Sequence, residues 1–238
     1  MRYKYLDLIT ALFVTVLLVS NVASSAKIVD WGVSLLGLPL AFDAGTLLFP
    51  VSYIFGDVLT EVYGYRRSRR VIWTGFACAS LMSVTFWTVS KLPGEATWLA
   101  NVGQAQYDAV LGGVSSGAII LASLVAYFGG EFSNSFTLAK MKVLTQGRWL
   151  WTRTIGSTLV GEGLDTLLFV TLATWLRVPG FDPAIWLTLV TTNYLFKCGI
   201  EALMTPVTYR VVKSLKRAEN EDYYDYNTDF NPFKLEIR

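Results

Sequence analysis

Residues 8–26 read LITALFVTVLLVSNVASSA, a stretch without a single charged side chain. Its length of about 20 residues is what an α-helix needs to cross the ~30 Å hydrocarbon core of a bilayer. The whole chain is 53% hydrophobic and only 16% charged, whereas a soluble domain carries roughly a quarter charged residues. The sequence therefore predicts an integral membrane protein.

Five more apolar segments follow the first one along the chain. We predict an all-α integral membrane protein, a six-helix bundle with spans at Leu6–Val22, Ala44–Tyr63 (kinked at Pro50), Val71–Ser90, Ser116–Leu138, Ile155–Leu176 and Ala184–Val212. Residues 1–213 would form one transmembrane domain, and residues 214–238 a C-terminal tail. Between the spans, we expect Lys27–Asp43 to be a hairpin or a re-entrant piece. We expect Lys91–Ser115 to hold an interfacial amphipathic helix.

Positive charge is concentrated in loops on one side of this predicted bundle. The second loop holds Arg66, Arg67, Arg69 and Arg70, and the fourth holds Lys140, Lys142, Arg148 and Arg153. The only lysines and arginines in the other three loops are Lys27, Lys91 and Arg177. Cytoplasmic loops of membrane proteins carry the excess of lysine and arginine. The pattern predicts that both termini lie in the cytoplasm.

Several kinds of chemistry have no residues to support them. The chain has no histidine, which removes the commonest metal ligand and the usual proton shuttle at neutral pH. Cys78 and Cys198 both fall in predicted spans and are interpreted as small buried apolar residues rather than a disulfide. The net charge of +2 comes from loop residues and not from a basic stripe for nucleic acid. We predict no catalytic residue, no metal site and no cofactor.

Ionisable and amide side chains inside the predicted spans are the strongest functional signal. Such groups are costly at membrane depth and usually face a bundle interior or a water-filled cavity. They recur three or four residues apart, which places each set on one helix face: Asp57 and Glu61; Glu131 and Asn134; Glu162 and Asp165; Asn193, Lys197 and Glu201. We expect these four polar faces to meet in one cavity.

Some of these charges also have a structural interpretation. Glu61 lies near a helix end and could pair with Arg66 or Arg69, and Lys197 could form an internal ion pair with Glu201. Arg153 is either a topology signal or a partner for Glu162. We assign Glu61, Arg153 and Glu201 to gating or structural ion pairs.

The remaining polar residues suit a flat, nitrogen-rich ligand. A carboxylate accepts two hydrogen bonds from an amidine-like N–H edge, an amide both donates and accepts, and an aromatic ring stacks on the plane. Tyr53 and Phe169 supply such rings beside the acids. A guanine-like base fits these residue types, although they do not demand it.

Blocks of residues in several spans resemble a known family. The first is Phe49-Pro50-x-x-Tyr53-x-x-x-Asp57-x-x-Thr60-Glu61-x-Tyr63-Gly64-Tyr65. Further blocks are Glu131-Phe132-Ser133-Asn134-Ser135, Gly161-Glu162-x-x-Asp165-Thr166-x-x-Phe169 and, in the tail, Phe230-Asn231-Pro232-Phe233. Together they resemble the signature of the bacterial queuosine-precursor transporters, also called the vitamin-uptake-like family. The resemblance runs nearly end to end.

This resemblance implies a multi-pass importer of 7-deazaguanines such as preQ0 and preQ1 in the bacterial inner membrane, which serves tRNA-modification salvage. The implied substrate-binding residues are Tyr53, Asp57, Glu131, Asn134, Glu162, Asp165, Phe169, Asn193 and Lys197. Glu131 or Glu162 would bind the guanidine-like edge of the base and Asn134 its carbonyl. Asp165 would orient or neutralise the bound base, and Asn193 and Lys197 would close the pocket. Asp57 and Glu61 could instead serve gating. The tail is either a solvated end or a plug beneath the bundle.

Two other functions stay open at this point. The chain could be the substrate-binding subunit of an uptake system that an ATPase partner energises. It could also be an intramembrane hydrolase, although the absence of histidine and of a metal-ligand pattern stands against that. For a transporter, both proton coupling and facilitated diffusion are compatible with the acids. Small residues on the helix faces are compatible with a homodimer.

Overall fold

A computed structural model describes residues 3–35, 38–178 and 181–234. These residues form eight α-helices: α1 Leu6–Ala26, α2 Phe49–Tyr63, α3 Tyr65–Lys91, α4 Ala96–Asn101, α5 Gln104–Ser115, α6 Gly117–Leu144, α7 Leu150–Trp175 and α8 Trp186–Glu219. Two strands, β1 Ile28–Leu35 and β2 Leu38–Asp43, pair antiparallel, with Ile28 opposite Asp43 and Leu35 opposite Leu38. Short 3₁₀ turns precede α2 and α8.

Four helical stretches in the described part are long and apolar enough to cross a membrane: α1, α3, α5 together with α6, and α7. The helix α8 has 34 residues but carries Lys197 and Glu201 in its apolar half. The helix α2 has 15 residues, which gives a length of about 22 Å at 1.5 Å per residue. The chain is thus a bundle of membrane-type helices, and six spans stay a prediction.

The connections between the spans differ in part from the prediction. The hairpin expected at Lys27–Asp43 is the β1–β2 pair, which makes this segment an exception to the all-α prediction. Pro50 lies in the first turn of α2, where proline is tolerated because no intrahelical hydrogen bond is lost. The predicted kink inside that helix is therefore wrong.

The segment predicted as one interfacial helix is instead divided between α4 and α5. The helix α5 packs against α1 and α3, where Ser25 Oγ donates to the Val110 carbonyl (2.8 Å) and Tyr107 Oη donates to the Phe86 carbonyl (3.1 Å). Only Ser116 separates α5 from α6. The helix α5 therefore belongs to the bundle.

Three helices extend further than their apolar runs predicted, because arginine and lysine are good helix formers. The helix α3 begins at Tyr65 and so includes the arginine cluster, α6 continues to Leu144, and α8 continues to Glu219. Residues with positive φ end two of the helices: Gly64 (φ 82°) ends α2, and Asn220 (φ 52°) ends α8.

The first described residues of the chain and the last turn of α8 lie at the same end of the bundle. Tyr3 Oη donates to Glu221 (2.8 Å), and the backbone N–H groups of Lys4 and Tyr5 donate to Glu219 (2.9 and 2.8 Å). We call this the terminal end, and the opposite end, where α1 leads into the hairpin, the far end. The main hydrophobic core lies at the terminal end and includes Phe13 and Val62, both fully buried.

Residues 220–234 fold back across the terminal end, and we call them the strap. Lys142 Nζ donates to Asp222 Oδ1 (2.5 Å) and to the Tyr223 carbonyl (2.7 Å). Trp73 Nε1 donates to the Pro232 carbonyl (2.7 Å). The rings of the strap pack on α3 and α6: Phe230 on Tyr65 and Phe136, and Phe233 on Trp73 and Phe128. Of the two interpretations of the tail, these contacts contradict the freely solvated end for residues 220–234.

The attachment of the strap should be lost in acid. Burial tends to raise the pKa of Asp222, but the hydrogen bonds from Lys142 and Lys216 outweigh burial and hold that pKa below its ordinary value of 3.8. A carboxyl with a lowered pKa contributes stability above its unfolded-state pKa and loses it as the pH falls through the folded-state value. The strap should therefore stay docked at neutral pH and detach below about pH 4.

A spin label attached at Asn227→Cys, in a Cys78→Ser and Cys198→Ser background, measures this detachment. Asn227 is exposed, so the label itself should not disturb docking. Label mobility should rise in acid in the parent protein, and Asp222→Asn should raise it already at neutral pH. A label that stays immobile in Asp222→Asn at neutral pH would contradict the role of this carboxylate.

Candidate functional site

A cavity of about 320 Å³ lies in the bundle between its centre and the far end. Side chains of α1, α2, α3, α6, α7 and α8 line it. The lining includes eight of the nine residues predicted to bind substrate: Asp57, Glu131, Asn134, Glu162, Asp165, Phe169, Asn193 and Lys197. The side chain of the ninth, Tyr53, lies outside the described part. The four polar faces thus reach one chamber, and substrate binding by these residues stays a prediction.

The helix α1 contributes a polar wall that the sequence interpretation missed. Ser20, Asn21 and Ser24 of α1 line the cavity, as do Ser83 of α3 and Tyr127 of α6. The spacing of residues 20, 21 and 24 was a usable signal, since these positions share one helix face. The other helices carry ionisable residues, which are a stronger signal of a cavity than the hydroxyl and amide groups of α1.

Glycines bring α6 and α7 close together beside the cavity. A Cβ atom at Gly161 would lie 2.6 Å from Asn134 Cβ and 3.0 Å from the Gly130 carbonyl oxygen. A Cβ atom at Gly130 would lie 2.8 Å from Asp165 Cβ. No side chain fits at these positions, so the two helices approach backbone to backbone, as small residues allow in membranes. This contact sets the side chains of Asn134 and Asp165 at the same wall.

Lys197 is the cation of the cavity. Its Nζ lies 2.8 Å from Glu162 Oε2 and 2.5 Å from Asp165 Oδ2. Lys197 therefore joins α8 to the acids of α7, and its described ion pairs do not include Glu201, the partner that one interpretation of the sequence gave it. The ion pairs offset part of the cost of holding these charges inside the bundle.

Glu131 and Asn134 keep hydrogen-bonding capacity that faces the cavity. Among the described residues, no ion pair includes Glu131, and Asn134 Oδ1 is buried without a donor. The amide group of Asn134 donates to Asp57. A Cβ atom at Gly56 would lie 3.7 Å from Glu131 Oε2 and 3.8 Å from Asn134 Nδ2, so both side chains stand against the backbone of α2. Buried acceptors of this kind call for N–H donors from a ligand.

Glu61 closes the terminal half of the bundle. Arg153 donates to it twice, from Nε to Oε2 (2.8 Å) and from Nη2 to Oε1 (2.7 Å), and Lys216 Nζ donates to Oε1 (2.6 Å). Lys142 Nζ lies 3.6 Å from the same carboxylate. Glu61 is fully buried. The expected pairings of Glu61 with Arg66 or Arg69, and of Arg153 with Glu162, are therefore wrong.

A hydroxyl network seals the same half. Thr60 of α2 lies 2.7 Å from Ser135 of α6 and 3.0 Å from Ser68 of α3, measured between hydroxyl oxygens, and all three side chains are buried. Together with the Glu61 cluster and the strap, this network separates the cavity from the terminal end.

The region that matches known proteins includes most of the segments that form the cavity. A family model described as "Putative vitamin uptake transporter" matches residues 43–211, which contain most of the cavity wall. The chain is 26% identical over 177 residues to the "Probable queuosine precursor transporter" of Bacillus subtilis (strain 168), covering 74% of this chain and 73% of that protein. It is 25% identical over 194 residues to the "Queuosine precursor transporter" of Escherichia coli (strain K12), covering 82% of each chain. Among solved structures, none matches the chain.

Proposed function

Because the chain belongs to the vitamin uptake transporter family, we propose that it imports queuosine precursors, 7-deazaguanines such as preQ0 and preQ1, across the bacterial inner membrane for tRNA-modification salvage. Membership of this family, which matches 43–211, makes it a multi-pass membrane transporter and not an enzyme. It also confirms the resemblance seen in the sequence motifs. We infer the cargo from the names of the relatives, and the polar residues of the cavity give a chemical reason for binding it.

The observation that carries the proposal is the unpartnered Asn134 Oδ1 and the Glu131 carboxylate, which no ion pair of the described residues engages, on the wall of one cavity. Its volume of about 320 Å³ falls in the range of small-molecule pockets. The guanidine-like edge of a 7-deazaguanine presents adjacent N–H groups, which a carboxylate accepts in pairs. Glu162 is engaged by Lys197, so we assign this edge to Glu131.

For Asn134 we propose a role different from the one that the resemblance implied. Its amide N–H is directed to Asp57, while its Oδ1 has no donor in the described part. We therefore assign Asn134 to accept a further N–H of the base instead of donating to the carbonyl. Phe169 lines the same chamber and offers a ring for stacking, which suits the flat face of a purine-like base.

Transport would proceed by alternating access around this fixed site. The cavity extends toward the far end, while the Glu61 cluster, the hydroxyl network and the strap close the terminal end. With both termini in the cytoplasm, as the lysine and arginine distribution favours, this state receives substrate from outside. Opening to the cytoplasm then requires the Glu61 and Arg153 pair to separate, which gives both residues a gating role. Residues 1–213 form the transport domain in this scheme.

Uptake of labelled precursors tests the proposal. Cells that lack queuosine synthesis and their own transporter should take up preQ0 and preQ1 only when they express this chain, because its chamber supplies the acceptors that both bases need. Queuine serves as the third cargo in the comparison. Absence of uptake of all three, with the protein present in the membrane, would force a different cargo.

The same cargo distinguishes the transporter from an ATPase-dependent binding subunit. The purified chain alone, as a monomer or a homodimer, should move labelled preQ0 into liposomes. Binding of preQ0 without movement would instead support the alternative of a substrate-binding subunit.

A further inference from the structure

Asp57 of α2 and Glu201 of α8 form a carboxyl pair at the base of the cavity. Both residues are only 1% exposed, and their side chains are within hydrogen-bonding reach of each other. Asp57 lines the cavity floor, and Glu201 lies behind it, on the side toward the terminal end.

The pair lacks donors. Both oxygens of Glu201 and Oδ2 of Asp57 are buried, and no described residue donates a hydrogen bond to them. Among the described residues, the amide of Asn134 donates to Asp57. Ionised carboxylates are acceptors only, so two of them facing each other leave their oxygens unsatisfied and repel.

The charged groups around the pair do not neutralise it. The negative charges of Glu61 on α2 and of Glu162 on α7 act electrostatically on Asp57 and on Glu201, respectively. From α8 itself, the thiol of Cys198 lies near Glu201. The nearby cations contact other acids: Lys197 contacts Glu162 and Asp165, while Arg153 and Lys216 contact Glu61. The surroundings of the pair are therefore acidic or neutral.

We propose that Asp57 and Glu201 share one proton and that this pair is the proton-binding site of the transporter. The inference rests on the proposed function. A single proton converts one carboxyl into a donor, which forms a short charge-assisted O–H···O⁻ bond with the other and removes one of two like charges. The proton comes from water that enters the cavity and leaves to water at the terminal end, with no other bond made or broken.

The position of the pair couples the proton to the conformational change. The pair bridges α2 and α8, and the same two helices also meet at Glu61, one turn beyond Asp57 on α2, and Lys216, about four turns beyond Glu201 on α8. With the proton bound, α2 and α8 stay joined at the pair, and the terminal end opens by separation of Glu61 from Arg153. Water from the terminal end then takes the proton, and the repulsion between the two facing carboxylates favours return to the state that is open to the far end. The proton and the substrate are thus carried in the same direction.

Liposomes that contain the purified full chain and an internal fluorescent pH indicator test the proposal. The cargo is labelled preQ0, because it carries no aminomethyl cation that would respond to the gradient itself. With the outside one pH unit more acidic, wild-type protein should accumulate preQ0 about tenfold, as expected for one proton per substrate. Addition of preQ0 should also acidify the interior.

Glu201→Gln should bind preQ0 and let it equilibrate, but neither accumulation nor substrate-dependent acidification should occur. Glu95→Gln is the matched control, since Glu95 lies on the surface and its oxygen caps α4, a role that a glutamine oxygen also fills. This control should behave as wild type. Wild-type uptake that ends at the same level with and without the gradient would overturn the proton site and leave the proposed function standing. Wild-type protein that neither binds nor moves preQ0 would overturn the proposed function itself.

Infrared spectroscopy of the unliganded wild-type protein provides a second readout that needs no transport. The carbonyl stretch of a protonated carboxylic acid should be present at neutral pH and should be missing from Glu201→Gln. If this variant does not fold, wild-type protein is measured after exchange into D₂O. The carbonyl band must then persist, with the small frequency shift that deuteration of a buried carboxylic acid produces. Its absence from wild type would overturn the proposal.

Discussion

Replacing Glu131 by glutamine should weaken preQ1 binding about 100-fold. The carboxylate faces the cavity, and in the described part no ion pair engages it. A hydrogen bond to a charged group contributes about 1.5–3 kcal/mol, and a glutamine amide would replace one acceptor by a donor that opposes the N–H edge of the base. Isothermal titration calorimetry of the purified protein measures the change.

Glu95→Gln is again the control for this substitution, because it removes the same charge at an exposed position far from the cavity. Affinity for preQ1 should not change in that variant. An unchanged affinity in Glu131→Gln, with the variant folded, would show that another group binds the guanidine-like edge. Glu162→Gln should also weaken binding, but through Lys197, which would lose one of its two acidic partners.

Replacing Glu61 by glutamine should lower the free energy of unfolding by about 3–5 kcal/mol, the usual cost of removing one partner of a buried ion pair. Glu61 receives hydrogen bonds from Arg153 and Lys216, and Lys142 lies close by. Without the carboxylate, three cations face one another in a buried site. Chemical denaturation in detergent, followed by circular dichroism, gives the measurement.

The double variant Glu61→Gln and Arg153→Gln provides the control for this effect. Removing both members of the bidentate pair leaves less uncompensated charge than removing one, so the double variant should be more stable than Glu61→Gln alone. If the two single substitutions simply add, Glu61 and Arg153 do not act as a pair. A loss below about 1 kcal/mol in Glu61→Gln would mean that water reaches the cluster.

The sequence predicted the approximate positions of the helices and the convergence of their polar faces. Both follow from local patterns: an apolar run has a length that can be counted, and acids four residues apart must share a helix face. Asp57, Glu131 and Asp165 could be placed on the cavity wall for this reason. Ser20 and Asn21 carry no charge and lie in a largely apolar helix, so the sequence did not distinguish them from residues that face lipid.

Partners across helices could not be predicted in the same way. Arg153 contacts Glu61, 92 positions away along the chain, because the rotation and crossing of α2 and α7 bring these two faces together. In the sequence, cations such as Arg66 lie much nearer to Glu61 than Arg153 does. The strap was ambiguous for a related reason, since its partners lie far away in the sequence. Trp73 Nε1 donates to the Pro232 carbonyl, and the Tyr65 backbone N–H donates to the Asp225 carboxylate.

A structure of this protein with preQ1 bound tests the central claim most directly. The account predicts that the base lies in the cavity, with its guanidine-like edge within hydrogen-bond distance of Glu131, a further N–H on Asn134 Oδ1 and its plane beside Phe169. A base bound outside this cavity, or inside it with Glu131 and Asn134 both turned away, would contradict the account.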